Sequence, residues 1–221
     1  MQQPPPRQKG PTGARSWKLT CSHALALLLV CSACSSVTSV YRRAGYDALA
    51  PTAVKRIAVL GWAADPKVAE LLADITTDLV KLRKNYLIGR KGQAQGCWSQ
   101  GCPAGQGVLL IRALDIQPHP GHVALQLTAE LYACSDGALL WRTAGATEAK
   151  SNDPDLRQLT DVYQRHFADT ANTYAAPAFV LLQELLAGLP DPALTDDEVL
   201  EKIEQSSIQG DCLRSLALDF S

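Results

Sequence analysis

From His122 to Cys134 the side chains alternate. Val123, Leu125, Leu127, Ala129 and Leu131 fall on one face, while Gln126, Thr128 and Glu130 fall on the other. That is the period of a β-strand with one face buried, and such a strand needs a second layer to cover it. Its neighbours extend it into a meander. Val108 to Ile116 precedes it across the turn Pro118-His119-Pro120-Gly121. Ala138 to Glu148 follows it across Ser135-Asp136-Gly137, whose Asp-Gly pair signals a tight hairpin.

Upstream the period changes twice. Val54 to Trp62 holds a continuous apolar run, Ile57 to Leu60, which suits a strand covered on both faces. Asp65-Pro66 then supplies a cap and a first helical residue, and Val68, Leu71, Leu72, Ile75, Leu79 and Leu82 recur at helical spacing. This predicts a helix over 66–84, with Lys81, Arg83 and Lys84 at its negative end. Tyr86-Leu87-Ile88 reads as a short strand, closing a right-handed crossover. Downstream, Asn152-Asp153-Pro154 opens a long helical region that Pro177 is expected to kink or split. Gly188 and Pro190 end it, and Thr195 with Glu198 forms a capping box for a further helix carrying Val199, Leu200 and Ile203. The expected fold class is α+β: an α/β sandwich with a βαβ unit, a three-stranded antiparallel meander and C-terminal helices packed on the sheet. It covers residues 54–190, with 191–221 as a helical extension.

The N-terminus reads as an address. Residues 1–33 carry Arg7, Lys9, Arg15 and Lys18 and no acid, then the apolar stretch Ala24 to Val30, then small residues. That order is the layout of a signal peptide, and the apolar stretch is too short to span a bilayer. Cys31-Ser32-Ala33-Cys34 resembles the lipobox of bacterial lipoproteins, with Cys31 where Leu is commonest. The resemblance implies that Cys34 becomes the acylated first residue, holding the protein on a membrane. In that sorting logic Ser35 directs the protein to the outer membrane, facing the periplasm. Residues 34–53 show no sustained period and read as a lipidated tether.

Four of the seven cysteines remain after the leader and the lipid site: Cys97, Cys102, Cys134 and Cys212. An even number bound for an oxidising compartment favours disulfides. Three pairings are possible. The expected one joins Cys97 to Cys102 within a Gly-rich loop and Cys134 to Cys212. These four show neither zinc-type spacing nor a CxxC motif.

Little in the sequence announces chemistry. His119 and His122 share a turn and could touch one metal if Asp115 or His166 joined them, but two solvated turn residues are the expectation. The glycines from Gly89 to Gly107 lack phosphate-loop spacing, and no Gly-x-Ser-x-Gly elbow occurs. Asp196, Asp197, Glu198 and Glu201 suit a helix's first turns. Trp62 and Trp141 are expected in the core, and Trp98, in the Gly-rich loop, is the contact-surface candidate. Charge excludes a basic nucleic-acid binder: beyond residue 33 the chain holds 17 Lys and Arg against 22 Asp and Glu.

Two segments together carry a family resemblance. They are VKRIAVLGW followed by DPKVAELL, and the hairpin Ser135-Asp136-Gly137-Ala138-Leu139-Leu140-Trp141-Arg142-Thr143. The chain resembles, over about residues 28–205, uncharacterised lipoproteins described in myxobacteria and spirochaetes. More distantly, the hairpin is similar to one in periplasmic α/β modules of the TolB N-terminal and LpoB/CsgG kind, which act in envelope assembly. The near family implies no catalytic residues. The resulting expectation is a non-catalytic envelope module without cofactors, partnered by the membrane through its anchor and by another envelope protein. The alternative is a small-ligand-binding or transport-accessory lipoprotein.

Overall fold

A computed structural model describes residues 36–46, 54–94, 102 and 106–207. The expected signal peptide, Cys34, Cys97, Trp98 and Cys212 lie outside the described residues.

Six strands make one mixed sheet in the order β1-β6-β5-β4-β2-β3. They are β1 (Ser36–Arg42), β2 (Arg56–Trp62), β3 (Leu87–Gln93), β4 (Gly107–His119), β5 (His122–Ala133) and β6 (Leu139–Lys150). β2 runs parallel to β3 and β4, and the other pairs are antiparallel. Among the described residues four helices pack against this open sheet: α1 (Pro66–Arg83), α2 (Arg157–Phe167), α3 (Asp169–Ala187) and α4 (Asp196–Ser207). The α+β class, the crossover and the meander are as expected. Among the described residues no helix is long and apolar enough to cross a membrane.

Local chemistry starts and stops these elements. The Asp65 carboxylate accepts the Lys67 N–H at 2.8 Å, Pro66 opens α1, and Lys81 and Arg83 close it. Val68, Leu71, Leu72, Ile75 and Leu79 of α1 are buried in one core with Val59, Leu109, Ile111, Leu127, Leu131 and Trp141 of the sheet. Each such side chain gains roughly 1.5–3 kcal/mol by leaving water. Gly61 lets α1 approach closely, because a Cβ there would collide with the Ala69 carbonyl. Leu181, Leu182 and Leu185 of α3 cover the β5–β6 side of the same face.

Several expectations are corrected. The segment read as a tether is in part a strand: β1 pairs with β6, Ser36 opposite Ala146 and Arg42 opposite Trp141. Every β1 residue is exposed, so no apolar period marks it in sequence. A bulge between Val37 and Ser39 interrupts the ladder, and the Thr38 hydroxyl donates to the Ala144 carbonyl at 3.1 Å. β3 runs on to Gln93, into the Gly-rich stretch expected to be loop.

Pro177 does not split the helical region. α3 runs through it, with Ala175, Ala176, Pro177 and Ala178 buried, and packing of these small residues holds the helix together. The break falls at Ala168, whose φ of 46° ends α2 and starts α3.

The expected disulfide pairing is also overturned, because Cys102 is bonded to Cys134. β4 starts at Gly107 opposite Ala133, and the Cys134 N–H donates to the Gln106 carbonyl at 3.0 Å. The segment entering β4 and the residue leaving β5 are therefore neighbours, with Cα atoms 5.5 Å apart across the bridge. That geometry depends on strand register, which cysteine spacing does not carry.

α4 docks through its polar side. The capping box forms, the Thr195 N–H donating to Glu198 at 2.7 Å. Lys55 pairs with Glu198 at 2.8 Å and Arg56 with Glu201 at 2.7 Å. Lys202 donates to the Val80 and Tyr86 carbonyls, and the Gln205 side chain accepts the Ile88 N–H. Val199, Leu200 and Ile203 face outward.

Candidate functional site

Strand register assembles a charged cluster on the sheet face away from α1 and α3. Leu131, with Leu109 and Trp141 opposite it, points to the helices, so Glu130 points the other way. Arg142 of β6 lies directly opposite Glu130, and Arg112 of β4 lies opposite Thr128, one pleat along. The Glu130 carboxylate is buried at 4% exposure. It accepts from Arg142 Nε at 2.7 Å and from the Tyr132 hydroxyl at 2.9 Å, and lies 3.6 Å from an Arg112 nitrogen. Burial, then the carboxylate beside it, holds the Tyr132 hydroxyl in its protonated form by pushing its pKa up. On its other side the Arg112 guanidinium lies 5.6 Å from the centre of the Trp62 ring, which is 46% exposed.

One carboxylate thus holds two guanidiniums, leaving one net positive charge. Both arginine side chains are about four-tenths exposed, so part of each donor fork faces outward. Arg112 Nε and the Thr128 hydroxyl are buried and have no hydrogen-bond partner among the described residues. Both atoms are closed to solvent, so an incoming group would meet the outward guanidinium nitrogens of Arg112 and Arg142 instead. An aromatic-edged, fixed pair of guanidiniums is suited to a carboxylate or another planar oxyanion.

A second concavity, of 570 Å³, lies between α1 and α2 beside β3. It is lined by Glu70, Asp74, Asp78, Lys91, Arg165 and His166, among others. Burial pushes the Asp78 carboxyl up, against the pull of the Tyr163 hydroxyl that donates to it at 2.7 Å. Burial and that same carboxylate push the Tyr163 hydroxyl far up. Lys91 pairs with Asp74 at 2.9 Å.

His119 and His122 lie opposite each other, exposed, across the β4–β5 turn. Asp115 accepts instead from the Gln117 amide at 2.7 Å, and His166 lines the α1–α2 cleft. Among the described residues no group of three His, Cys, Asp or Glu side chains could hold a metal ion. Trp141 is fully buried as expected, whereas Trp62 is half-exposed. Glu198 and Glu201 cap and dock α4. Sequence reasoning missed Arg112 and Arg142. The available signal was that both stand at polar-face positions of strands flanking the one that carries Glu130.

No protein-family model matches the sequence, and no curated protein does. No family match therefore supports kinship with the myxobacterial and spirochaetal lipoproteins. Among solved structures, the PelC dodecamer from Paraburkholderia phytofirmans is 16% identical over 70% of this chain and 96% of that one, with a TM-score of 0.42. The hypothetical protein CT253 from Chlamydia trachomatis is 9% identical over 60% of this chain and 93% of that one, with a TM-score of 0.36. Lipoprotein GNA1162 from Neisseria meningitidis is 16% identical over 52% of this chain and 98% of that one, with a TM-score of 0.32. A lipoprotein is thus among the structures to which this chain is similar.

Proposed function

We propose that this chain is a non-catalytic outer-membrane lipoprotein, anchored through Cys34, whose sheet face docks another envelope protein on the periplasmic side. The observation that carries the docking is the Arg112–Glu130–Arg142 row, whose two guanidiniums are partly exposed beside the half-exposed Trp62 ring. A partner's acidic side chain or C-terminal carboxylate would pair with the outward guanidinium nitrogens, and Trp62 and Tyr132 would supply the aromatic edge that interface centres favour. The anchor rests on the run Cys31-Ser32-Ala33-Cys34, and the outer-membrane address on Ser35.

The test is affinity capture of the full-length, lipidated protein from detergent-solubilised envelope, read by mass spectrometry. A stoichiometric partner is expected, and the double variant Arg112→Ala, Arg142→Ala is expected to lose it. Capture that the double variant leaves untouched would remove this face from the interface. Turnover of an envelope substrate by the purified soluble domain would overturn the non-catalytic reading.

The α1–α2 cleft favours a second reading, that of a lipoprotein carrying a small polar ligand. Native mass spectrometry is then expected to show a bound small molecule that Asp78→Asn removes. A ligand-free spectrum in both proteins would dismiss it.

A further inference from the structure

We infer that the β4–β5 hairpin tip is a membrane contact: His119, Pro120 and His122, with Lys150 beside them, lie in the phospholipid headgroup layer. The inference rests on acylation of Cys34. Its own content comes from the register of β1.

Ser36 already sits in the sheet, opposite Ala146. Only one residue separates it from Cys34. Two peptide units span no more than about 8 Å between Cα atoms, so the acylated cysteine cannot stand off from the sheet. A protein on a long tether could present any surface to the bilayer. This one is held at the start of β1.

Register says which end that is. β1 is antiparallel to β6, so the chain enters at the end where β6 finishes. β6 continues four residues beyond Ala146 to Lys150, which faces His122, and His122 faces His119. At roughly 3.4 Å per residue the tip extends about 14 Å beyond Ser36, farther than Cys34 can reach. An acyl chain rooted in the bilayer at Cys34 therefore brings the tip to the headgroups before any other described strand end.

The chemistry there fits. His119, His122 and Lys150 form one exposed row across three strands, able to meet phosphate oxygens. The Gly121 carbonyl is already paired with the Ser151 N–H at 3.1 Å, and Pro120 has no N–H to leave unpaired. The nearest acid on the same strand face, Glu148, lies about 7 Å back along β6. The competing pose lays β1 flat on the bilayer. It would set the exposed Val37, Val40 and Tyr41 of β1 against lipid, and the label at position 40 tells the two poses apart.

The experiment uses the full-length lipidated protein in vesicles of phosphatidylethanolamine and phosphatidylglycerol. A photoreactive benzophenone side chain is placed in turn at Pro120, at Val40 on the β1 edge and at Ser135 in the β5–β6 turn at the opposite end. Lipid adducts and the mass of the N-terminal peptide are read by mass spectrometry. The expected result is several-fold more phospholipid adduct from position 120 than from 40 or 135. Adduct from position 40 in excess of 120 overturns the inference in favour of the flat pose. No adduct at 120 with Cys34 acylated overturns it and leaves the anchor standing. An unacylated Cys34 overturns both.

Discussion

Asp78 is a carboxylate that the fold disfavours. Burial raises its pKa above the ordinary value of 3.8, so the folded chain binds its proton more tightly than the unfolded chain does. Stability is therefore lost as pH rises through the window from about 4 up to the raised value. In Asp78→Asn that fall is expected to disappear, checked by urea unfolding at a series of pH values. Glu130 behaves differently, because its charge answers two guanidiniums. Glu130→Gln is expected to cost about 1 kcal/mol, a value discounted because both arginines meet solvent. Chemical denaturation reads it directly. Glu130 was placed on the polar face by alternation alone. Its partners were not legible, because Arg112 and Arg142 reach it only through the pairing of three strands, and pairing is a non-local property.

At the scale of elements, apolar period was a good guide where one face is buried, as in α1, β4, β5 and β6. It failed where burial and period part company. β1 is exposed on both faces, and α4 turns its apolar residues outward while its charged side docks. The sequence points to Pro177 for the helical break, which lies at Ala168, where nothing in the residue type announces it. Alanine at a φ of 46° brings its Cβ against the backbone, and the site is exposed. Ala168→Gly is expected to raise stability by about 1 kcal/mol, seen as a higher urea midpoint. The Cys102–Cys134 bridge closes a loop of 32 residues' separation. Replacing both cysteines by serine is expected to cost about 3–4 kcal/mol. Mass mapping of a non-reduced digest should recover peptides holding Cys102 and Cys134 joined together; a Cys97–Cys102 peptide would refute the pairing.

At the scale of the whole molecule, the two sheet edges are managed differently. On the β3 edge, the Gln205 side chain of α4 accepts the Ile88 N–H and donates to the Ile88 carbonyl. The other edge ends in β1, blunted by its bulge. Deleting residues 36–42 uncovers β6 from Trp141 to Ala146, and the shortened protein is expected to self-associate more than the full chain. Light scattering on matched samples checks this. β1 also has a mechanical side. If the protein is anchored at Cys34 and its sheet face grips a partner, tension on Cys34 enters β1 along its own axis. Its hydrogen bonds to β6 then strain together, in shear, where a pull across the strand would open them one at a time. If Cys34 carries the proposed anchor, thermal noise would have to break the whole ladder to draw it out of the fold, and residues that look like the start of a leash would act as a rivet.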